Sequence, residues 1–257
     1  MLNQITPVIL TYNEEANLER SLARLGWARD IVIVDSLSTD STMAIAARHA
    51  AVRMFRRQFD NLAEQWNFAI EQTGIGTEWV LALDADYVIT PDLIEELRNL
   101  KDEGAIDGYS AKFRYCVDGT PLRGTIYPSV TVLFRRCRAH FLQDGHTQRV
   151  KVAGPVGTLT AKVDHDDRKP LSRWLTSQDL YMRLEAEHIT HSDWSALNWP
   201  DKIRRAAVLA PFLAFAYSYF GKRVFLDGKA GLYYALQRLT AEALLALRLI
   251  EIQLKRK

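Results

Sequence analysis

The chain has 257 residues, 48% hydrophobic and 25% charged, which suffices for one large domain or a domain with an appendage and excludes a disordered chain. A net charge of +2 without a dense basic run excludes the pattern typical of nucleic-acid binding. No uncharged apolar run reaches the roughly 20 residues that a membrane-spanning helix needs. Cys116 and Cys137 lack metal-type spacing, and no signal peptide precedes the first predicted strand, so we expect a reduced, cytoplasmic protein.

In chain order, the first hundred residues alternate apolar strand-like runs with helical patterns. The predicted strands cover 7–10, 31–34, 52–55 and 79–83, and the predicted helices lie near 14–25, 39–50 and 61–73. This alternation indicates an α/β, Rossmann-like fold whose mainly parallel sheet is flanked by helices. Between 108 and 135 the pattern changes to strands, with a turn at Asp118-Gly119, which predicts a hairpin or a mixed-sheet extension.

From about residue 170 the pattern is helical, with predicted helices near 171–190, 200–220 and 229–254. We therefore expect a catalytic or binding domain over 1–190 and a helical C-terminal appendage over 191–257. The last 58 residues contain eleven Lys/Arg and four Asp/Glu, so the basic charge is concentrated in this appendage.

The fourth predicted strand ends in Asp84-Ala85-Asp86. Side chains alternate along a strand, so Asp84 and Asp86 project to the same side if the extended geometry continues. Hard carboxylate oxygens suit Mg²⁺ or Mn²⁺, and such ions often also bind substrate phosphates. Thr90 as N-cap and Pro91 at the first helical position predict a helix directly afterwards, which places the pair in a strand-to-helix crevice.

The loops after the first two predicted strands are polar. Thr11–Glu15 contains no glycine, which excludes both a dinucleotide-binding Rossmann loop and a Walker P-loop. The second strand ends at Asp35, whose carboxylate can accept a hydrogen bond from a base or a ribose hydroxyl. Ser38 or Asp40 could equally serve only as a helix cap.

In this order and spacing, the three motifs resemble those of the family 2 inverting glycosyltransferases with the GT-A fold, and more narrowly the bacterial branch that includes lipopolysaccharide core glucosyltransferases. The resemblance covers about residues 4–185. It rests on Thr11-Tyr12-Asn13-Glu14-Glu15, Asp35-Ser36-x-Ser38-Thr39-Asp40 and Asp84-Ala85-Asp86.

The resemblance implies a function for each motif. Nucleotide-binding residues would be Thr11, Tyr12, Asn13, Glu15, Asp35, Ser38 and Asn67, with Asp84 contacting the ribose or the metal. Asp86 would bind the Mn²⁺ or Mg²⁺ that bridges the diphosphate, and His165 would complete the metal site or touch a phosphate. A solvated charged loop is the alternative for the segment around His165, favoured for Asp166 and Asp167.

Inversion needs a base that deprotonates the acceptor hydroxyl. Relatives commonly have His-Glu after the mixed strands, whereas this chain has His146 followed by Thr147. Asp144 is therefore the first base candidate and His146 the second, with a turn residue and a structural histidine as the alternatives. Tyr87 stands where many relatives carry Glu.

The appendage combines Arg204, Arg205 and an aromatic-rich apolar run with a long helix ending in a basic tail. Such a segment can lie in a membrane interface, or it can pack on the catalytic domain or on a second subunit as a homo-oligomer contact.

We predict a metal-dependent inverting transfer from a nucleoside-diphosphate sugar, with a UDP-sugar as the first candidate, to a glycan or lipid-linked acceptor of the bacterial envelope. A haloacid-dehalogenase-like phosphatase is the enzyme alternative. A degenerate sugar-nucleotide-binding module is the non-catalytic one.

Overall fold

The computed structural model describes residues 1–101, 104–144, 147–195, 197–205 and 208–255, and of residues 144 and 147 only the backbone. The chain divides into two compact units. Unit 1 comprises Met1–Cys116 and Tyr127–Arg168, and unit 2 comprises Val117–Ile126 and Lys169–Lys257. The chain therefore passes from unit 1 into unit 2 for the last time at residue 169, after a short excursion over 117–126, whereas the sequence pattern places a domain boundary at 191.

The strands in chain order are β1 (Ile5–Thr11), β2 (Ile31–Asp35), β3 (Val52–Arg56), β4 (Trp79–Asp84), β5 (Tyr87–Ile89), β6 (Gly108–Val117), β7 (Thr120–Pro121), β8 (Val130–Arg135), β9 (Ala139–Asp144), β10 (Thr147–Val152) and β11 (Val156–His165). The helices are α1 (Leu18–Leu22), α2 (Thr42–Ala46), α3 (Leu62–Gln72), α4 (Pro91–Asn99), α5 (Leu171–His191), α6 (Trp199–Arg205), α7 (Ala210–Ala216) and α8 (Gly228–Lys255). Short 3₁₀ turns lie at Leu2–Gln4, Arg136–Arg138 and Val224–Asp227, and a π-helical turn lies at Tyr217–Gly221.

The main sheet has the strand order β3-β2-β1-β4-β8-β6-β11-β5. Strands β3, β2, β1 and β4 are parallel to one another, β8 is antiparallel to both of its neighbours, and β5 is antiparallel to β11. The predicted mixed, mainly parallel sheet is confirmed. Strands β9 and β10 form a separate antiparallel hairpin.

Alternation along the central strands divides the core of unit 1 into two layers. Ile31 and Ile33 of β2 pack with α1, α2 and α4, whereas Val32 and Val34 pack with α3 and the β9–β10 hairpin. Every residue of β2 is buried, as expected for a parallel strand covered on both faces. The central parallel strands are thus packed on both faces of the sheet.

Two predicted helices are much shorter than expected. The patterns near 14–25 and 39–50 produce α1 and α2 of five residues each. The residues before α1 and α2 form hydrogen bonds between the loop after β1 and the loop after β2 instead of extending the helices. Asn, Asp, Ser and Thr side chains can bond backbone groups in this way and so compete with helix formation. The start of α4 is as predicted, because Thr90 Oγ1 accepts from the backbone N–H of Leu93 and Pro91 opens the helix.

In unit 2, Ala186 and Ile189 of α5 pack with Leu245 and Leu249 of α8. Asp118 and Gly119 both have positive φ, 48° and 77°, which confirms the predicted turn. In the part of the chain that the structure describes, no helix is long and apolar enough to cross a membrane.

Candidate active site

Three parallel strands end side by side at one edge of the sheet. Thr11 is in register with Asp35, and Leu10 is in register with Asp84. The loops that follow β1, β2 and β4 therefore begin at adjacent positions. Such an edge is where open α/β sheets bind ligands.

Asp35 joins the first two loops. Its Oδ1 accepts from Thr11 Oγ1 at 2.9 Å and from Ser38 Oγ at 2.5 Å, and its Oδ2 accepts from the Ser38 backbone N–H at 2.8 Å. The residue is fully buried. Three hydrogen bonds fix the Asp35 carboxylate, so the structure gives it a positioning function within the loops.

Asn13 is held between the same loops. Its N–H donates to Ser38 Oγ at 2.8 Å, and its Oδ1 accepts from the Thr39 N–H at 2.8 Å. Asn13 has φ 55° and Leu37 has φ 65°, in the left-handed region that non-glycine residues rarely adopt. Such backbone persists where the surroundings over-determine it, as in binding loops. The neighbouring Tyr12 is 53% exposed.

Asp40 completes the contact between the loops. It accepts from the Glu15 N–H at 3.1 Å and from the N–H and hydroxyl of Thr42, at 2.9 and 2.5 Å. Burial by itself raises the pKa of Asp40, but these hydrogen bonds outweigh it, so the pKa lies below its ordinary value. Asp40 thus bonds the start of α2, as the capping alternative supposed, whereas Ser38 bonds Asp35 and Asn13.

Asp86 meets His165 on the other side of the edge. Tyr87 at the start of β5 is in register with His165 at the end of β11, and this pairing brings His165 Nε2 within 3.1 Å of Asp86 Oδ2. The Ser21 hydroxyl donates to the Ala85 carbonyl at 2.6 Å and holds the turn between the two aspartates.

Aromatic rings surround His165. The rings of Tyr87, Tyr115 and Tyr127 lie edge-on to it, with centroids 5.4, 4.9 and 4.7 Å away, and the hydroxyls of Tyr87 and Tyr127 are 2.5 Å apart. Burial lowers the pKa of His165, but Asp86 and Asp84 outweigh it and raise the pKa. Burial, together with Asp84, raises the pKa of the Tyr87 and Tyr127 hydroxyls, so both stay protonated.

The donor atoms of Asp86 and His165 fit a divalent cation. Nε2 of His165 and Oδ2 of Asp86 are hydrogen-bonded to each other at 3.1 Å, and both atoms could ligate a cation that displaces the proton between them. Within the described residues no group of three or more His, Cys, Asp or Glu could hold a metal ion. Two protein ligands leave positions for phosphate oxygens and water, which is the usual arrangement for such ions at phosphate substrates.

A polar network centred on Asn17 joins the β1 loop to the segment after β11. The buried Asn17 amide donates to Glu14 Oε2 at 2.9 Å and to Asp167 Oδ1 at 2.8 Å. Its Oδ1 accepts from Arg20 Nη2 at 2.7 Å and from the Arg168 N–H at 2.9 Å. Both donors and both lone pairs of the amide are therefore used.

Asp166 is part of the same connection. Arg20 Nη1 lies 2.5 Å from its Oδ2, and Arg168 also contacts this carboxylate at 3.0 Å. The expectation of a solvated loop is wrong for Asp166, since its side chain is only 7% exposed. The ion pair with Arg20 spans 146 residues of sequence, which is why no local pattern indicated it.

Residues 6–161 match the family model described as Glycosyl transferase family 2, which covers more than half of the chain. The chain belongs to glycosyl transferase family 2. An uncharacterized glycosyltransferase of Rickettsia bellii (strain RML369-C) is 30% identical to this chain over 112 residues. The aligned residues cover 43% of this chain and 37% of the relative. One of Rickettsia felis (strain ATCC VR-1525 / URRWXCal2) is 28% identical over 111 residues, 43% of this chain and 38% of the relative. The chain thus spans less than two fifths of the length of these curated relatives.

Among solved structures, S. aureus TarS 1–349 in complex with UDP-GlcNAc aligns with a TM-score of 0.50 and 18% identity, covering 98% of this chain and 92% of TarS. The complex of TarS 1–349 with UDP gives 0.50 and 16%, with 98% and 91% covered. This likeness confirms the GT-A fold of the family 2 chain. Membership of family 2 argues against the phosphatase alternative. In haloacid-dehalogenase-like phosphatases the aspartate motif lies on the first strand, whereas Asp84-Ala85-Asp86 stands at the end of β4.

Not every predicted site residue of the family 2 chain faces the crevice. Asn67 on α3 donates to the Phe141 carbonyl and accepts from the Phe141 N–H, both at 2.9 Å, so its amide holds β9. The backbone of Asp144 ends β9, but its side chain and the whole of His146 lie outside the described residues.

Sequence reasoning missed several residues that shape the site. These are Asn17, Ser21, Gln65, Tyr115 and Tyr127. Gln65 is fully buried on α3 and donates to Ser36 Oγ at 2.9 Å. A signal existed for Gln65, because a polar residue on the apolar side of an amphipathic helix indicates a specific partner. The others contact residues distant in sequence or lie in ordinary strand and helix patterns.

A cavity of about 480 Å³ lies on the reverse face of β5 and β11. Its lining includes Val88 and Asp164, which alternate with Tyr87 and His165 along the same strands. Arg114 pairs with Asp164 across this face at 2.7 Å. The predicted nucleotide and metal residues are not among the residues that line the cavity, so it is separate from the crevice.

Proposed function

We propose that the family 2 chain transfers a sugar, with inversion, from a nucleoside-diphosphate donor to a hydroxyl of a glycan or lipid-linked acceptor. We place the reaction in bacterial envelope polysaccharide or lipopolysaccharide synthesis, at the cytoplasmic face of the membrane. One observation carries the proposal: the Asp86–His165 pair stands at the same sheet edge as the Thr11 and Asp35 loops. This arrangement supports a metal-bound diphosphate beside a nucleoside.

On the nucleoside side, the exposed ring of Tyr12 and the fixed loop around Asn13 support binding of the base and ribose. Asp35 and Ser38 act by holding this loop, because their polar groups bond one another. TarS, which has the same fold, was solved with UDP-GlcNAc. A UDP-sugar is therefore the first donor to test.

On the phosphate side, Asp86 and His165 would hold Mn²⁺ or Mg²⁺, and Asp84 would contact the ribose or the ion. When bound, the cation would neutralise charge on the departing diphosphate. Tyr87 and Tyr127 pack against His165 and keep its ring directed at Asp86. Asp144, with His146 as the second candidate, would accept the proton of the acceptor hydroxyl.

Calorimetric titration with UDP, GDP, CMP and dTDP, with and without Mn²⁺, tests the donor class. We expect one nucleotide to bind in a Mn²⁺-dependent manner and Asp86→Asn to weaken it at least tenfold. Asp92→Asn is the matched control, because it makes the same change at an exposed carboxylate in the first turn of α4. Binding of no nucleotide under any condition would overturn the proposal.

The base assignment needs a separate measurement. Asp144→Asn is expected to keep nucleotide affinity and to lose transfer of labelled sugar, since only proton removal is affected. Unchanged transfer in Asp144→Asn would reassign the base, with His146→Gln as the next variant. Nucleotide binding by the unaltered chain without turnover on any acceptor would favour the non-catalytic binding module.

A further inference from the structure

Unit 2 exposes a cluster of large apolar side chains between Val208 and Leu226, which we call the apolar segment. It comprises α7, the π-helical turn and the following 3₁₀ turn. Ala210, Pro211, Ser218 and Val224 are buried. The other side exposes 43–66% of each of Val208, Leu209, Phe212, Leu213, Tyr217, Phe220, Phe225 and Leu226.

The exposed side chains follow helical spacing. Leu209, Leu213 and Tyr217 are four residues apart and Phe220 continues the row, so they form one stripe along α7 and the π-helical turn. A helix at a protein–water boundary normally has polar residues on its outer face. Here Ser218, the one non-aromatic polar residue between 208 and 220, is buried.

The stripe is large for a surface in water. Aromatic side chains have about 150–250 Å² each, so the rings of Phe212, Tyr217, Phe220 and Phe225 together expose roughly 450 Å² at their recorded exposures. The largest apolar patch on a typical monomer is about 300–600 Å², and here four exposed aliphatic side chains add to the rings. A patch of this size indicates a binding surface.

Ring contacts organise the patch. Tyr219 stacks on Phe215 with centroids 5.3 Å apart and meets Phe220 at 5.1 Å, and Phe225 lies 6.3 Å from Phe220. The Tyr217 ring can approach Gly221 closely because glycine has no Cβ. A Cβ at this position would lie 2.9 Å from the ring. The exposed rings are therefore packed on one another at defined positions.

The charge beside the patch is positive. Lys222, Arg223 and Lys229 lie within or directly after the apolar segment, and no ion pair is recorded for them in the described ranges. Asp227 is the only acidic residue of the 208–229 sequence, and Arg123 contacts its carboxylate at 3.1 Å. The acidic charge is thus compensated, whereas the three cations have no recorded carboxylate partner in the part of the chain that the structure describes. Lys222 Nζ lies 5.2 Å from the centroid of the Tyr217 ring.

We propose that the apolar segment docks on an anionic lipid bilayer, with its rings and leucines in the headgroup–acyl boundary and its cations on lipid phosphates. Aromatic and aliphatic residues with flanking Lys and Arg are typical of helices in the membrane interface. The cations also favour lipid over a protein partner, because lysine is depleted in protein–protein interfaces and anionic lipid attracts it. The proposal does not depend on the transferase activity.

The structure limits the possible membrane-binding surface to a smaller part of the C-terminal appendage than the sequence predicts. Tyr234, Leu245 and Leu249 of α8 are buried, so one face of the long C-terminal helix belongs to the unit 2 core. Its exposed apolar side chains, such as Leu247 and Leu254, lie apart in sequence from the apolar segment. Arg204 is held by Glu242 at 2.6 Å and by Asp201 at 3.1 Å. The docking element is therefore the apolar segment rather than Arg204 or the whole appendage.

Cosedimentation of the full chain with vesicles tests this. We expect binding to phosphatidylcholine vesicles that contain 30% phosphatidylglycerol, weaker binding at high salt, and little binding to pure phosphatidylcholine. Leu209→Ser with Leu213→Ser should reduce the partition coefficient at least tenfold. Leu247→Ser with Leu254→Ser is the matched control and should change it less than twofold, because these leucines are 63% and 65% exposed on α8.

A conservative substitution keeps the test valid if the serine variant fails to fold. Phe212→Trp should show a blue-shifted emission and quenching by brominated lipid on vesicle addition, whereas Leu247→Trp should show neither. Equal partitioning of both leucine pairs, or no shift for Phe212→Trp, would overturn the proposal. A second result would also overturn the proposal: the chain forms a dimer in sedimentation velocity, Leu209→Ser with Leu213→Ser abolishes that dimer, and the unaltered chain does not bind vesicles. The partner of the apolar segment would then be a second copy of the chain.

Discussion

Replacing Asn17 by the isosteric aspartate tests the network that joins the β1 loop to the segment after β11. Asn17→Asp removes an NH₂ group that donates to Glu14 and Asp167 at 2.9 and 2.8 Å, and puts a third carboxylate there. At an effective dielectric constant of about 20, each like-charge pair at this distance costs about 6 kcal/mol. The new carboxylate also attracts Arg20 more strongly than the amide does, which offsets the repulsion of about one of the two carboxylate pairs. Water around the partly exposed carboxylates reduces the remaining repulsion, so we expect a net loss of stability of about 3 kcal/mol.

The penalty should depend on pH in a defined direction. Two neighbouring carboxylates raise the folded-state pKa of the introduced carboxyl above its ordinary value near 4. The loss of stability is therefore complete above that raised pKa and decreases as the pH falls towards the unfolded-state value. Urea unfolding at pH 7.5 and at pH 4.5, each compared with the unaltered chain, measures both the size and the sign.

Asn99→Asp is the matched control. Asn99 Nδ2 also donates to a carboxylate, Glu95 Oε1 at 2.7 Å, but on the exposed surface of α4. We expect a change within about 0.5 kcal/mol there, as for most surface substitutions. If Asn17→Asp were as mild as Asn99→Asp, or if its effect grew on acidification, the assignment of Asn17 as a saturated, charge-separating amide would be wrong.

Two further predictions concern other groups. Burial raises the pKa of the Cys116 thiol to about 12, so at pH 8 iodoacetamide should alkylate the exposed Cys137 and leave Cys116 unmodified in the folded chain; equal labelling by mass spectrometry would contradict this. Arg204→Met should destabilise the chain by about 3–5 kcal/mol in urea unfolding, because it leaves buried carboxylates without their cation. Arg248→Met removes a cation from α8 whose partners Asp179 and Glu251 have side chains 50% and 42% exposed, so water can replace it. It should hardly move the unfolding midpoint, and equal shifts for the two variants would refute the distinction.

The sequence was sufficient to predict the parallel strands and the sheet edge. Apolar runs of fixed length mark β1, β2 and β4, and the polar residues that follow them are adjacent in space because parallel strands end together. The GT-A fold followed from three motifs in order. Local patterns of this kind carry both the element and its direction.

The strand content after residue 135 was harder to predict. Strands β9 and β10 alternate charged and apolar residues in short stretches, and β11 is mostly polar on its exposed side. Such patterns do not differ clearly from those of a loop. The predicted lengths of α1 and α2 were wrong for a different reason. Asp35 and Asp40 accept hydrogen bonds from loop backbone and hydroxyl groups that a longer helix would otherwise need.

The site itself was only partly accessible from sequence. Asp86 and His165 were named as a pair, but the tyrosines around His165 come from β5, β6 and the region before β8, and no spacing rule connects them. Asp166 was expected to be solvated because its neighbours are charged. A buried ion pair between residues 146 apart is a property of the folded chain alone.

The Asn17 network also sets the order in which the crevice can be completed during synthesis. The contacts of Asp35 with Thr11 and Ser38 span at most 24 residues, so this half can form soon after β2 leaves the ribosome. Asn17 bonds Asp167 and Arg168 across about 150 residues, and these arrive only with the end of β11. A nascent chain that stops before residue 165 therefore contains the Thr11 and Asp35 loops without His165, so the Asp86–His165 contact forms only after the end of β11 has been synthesised.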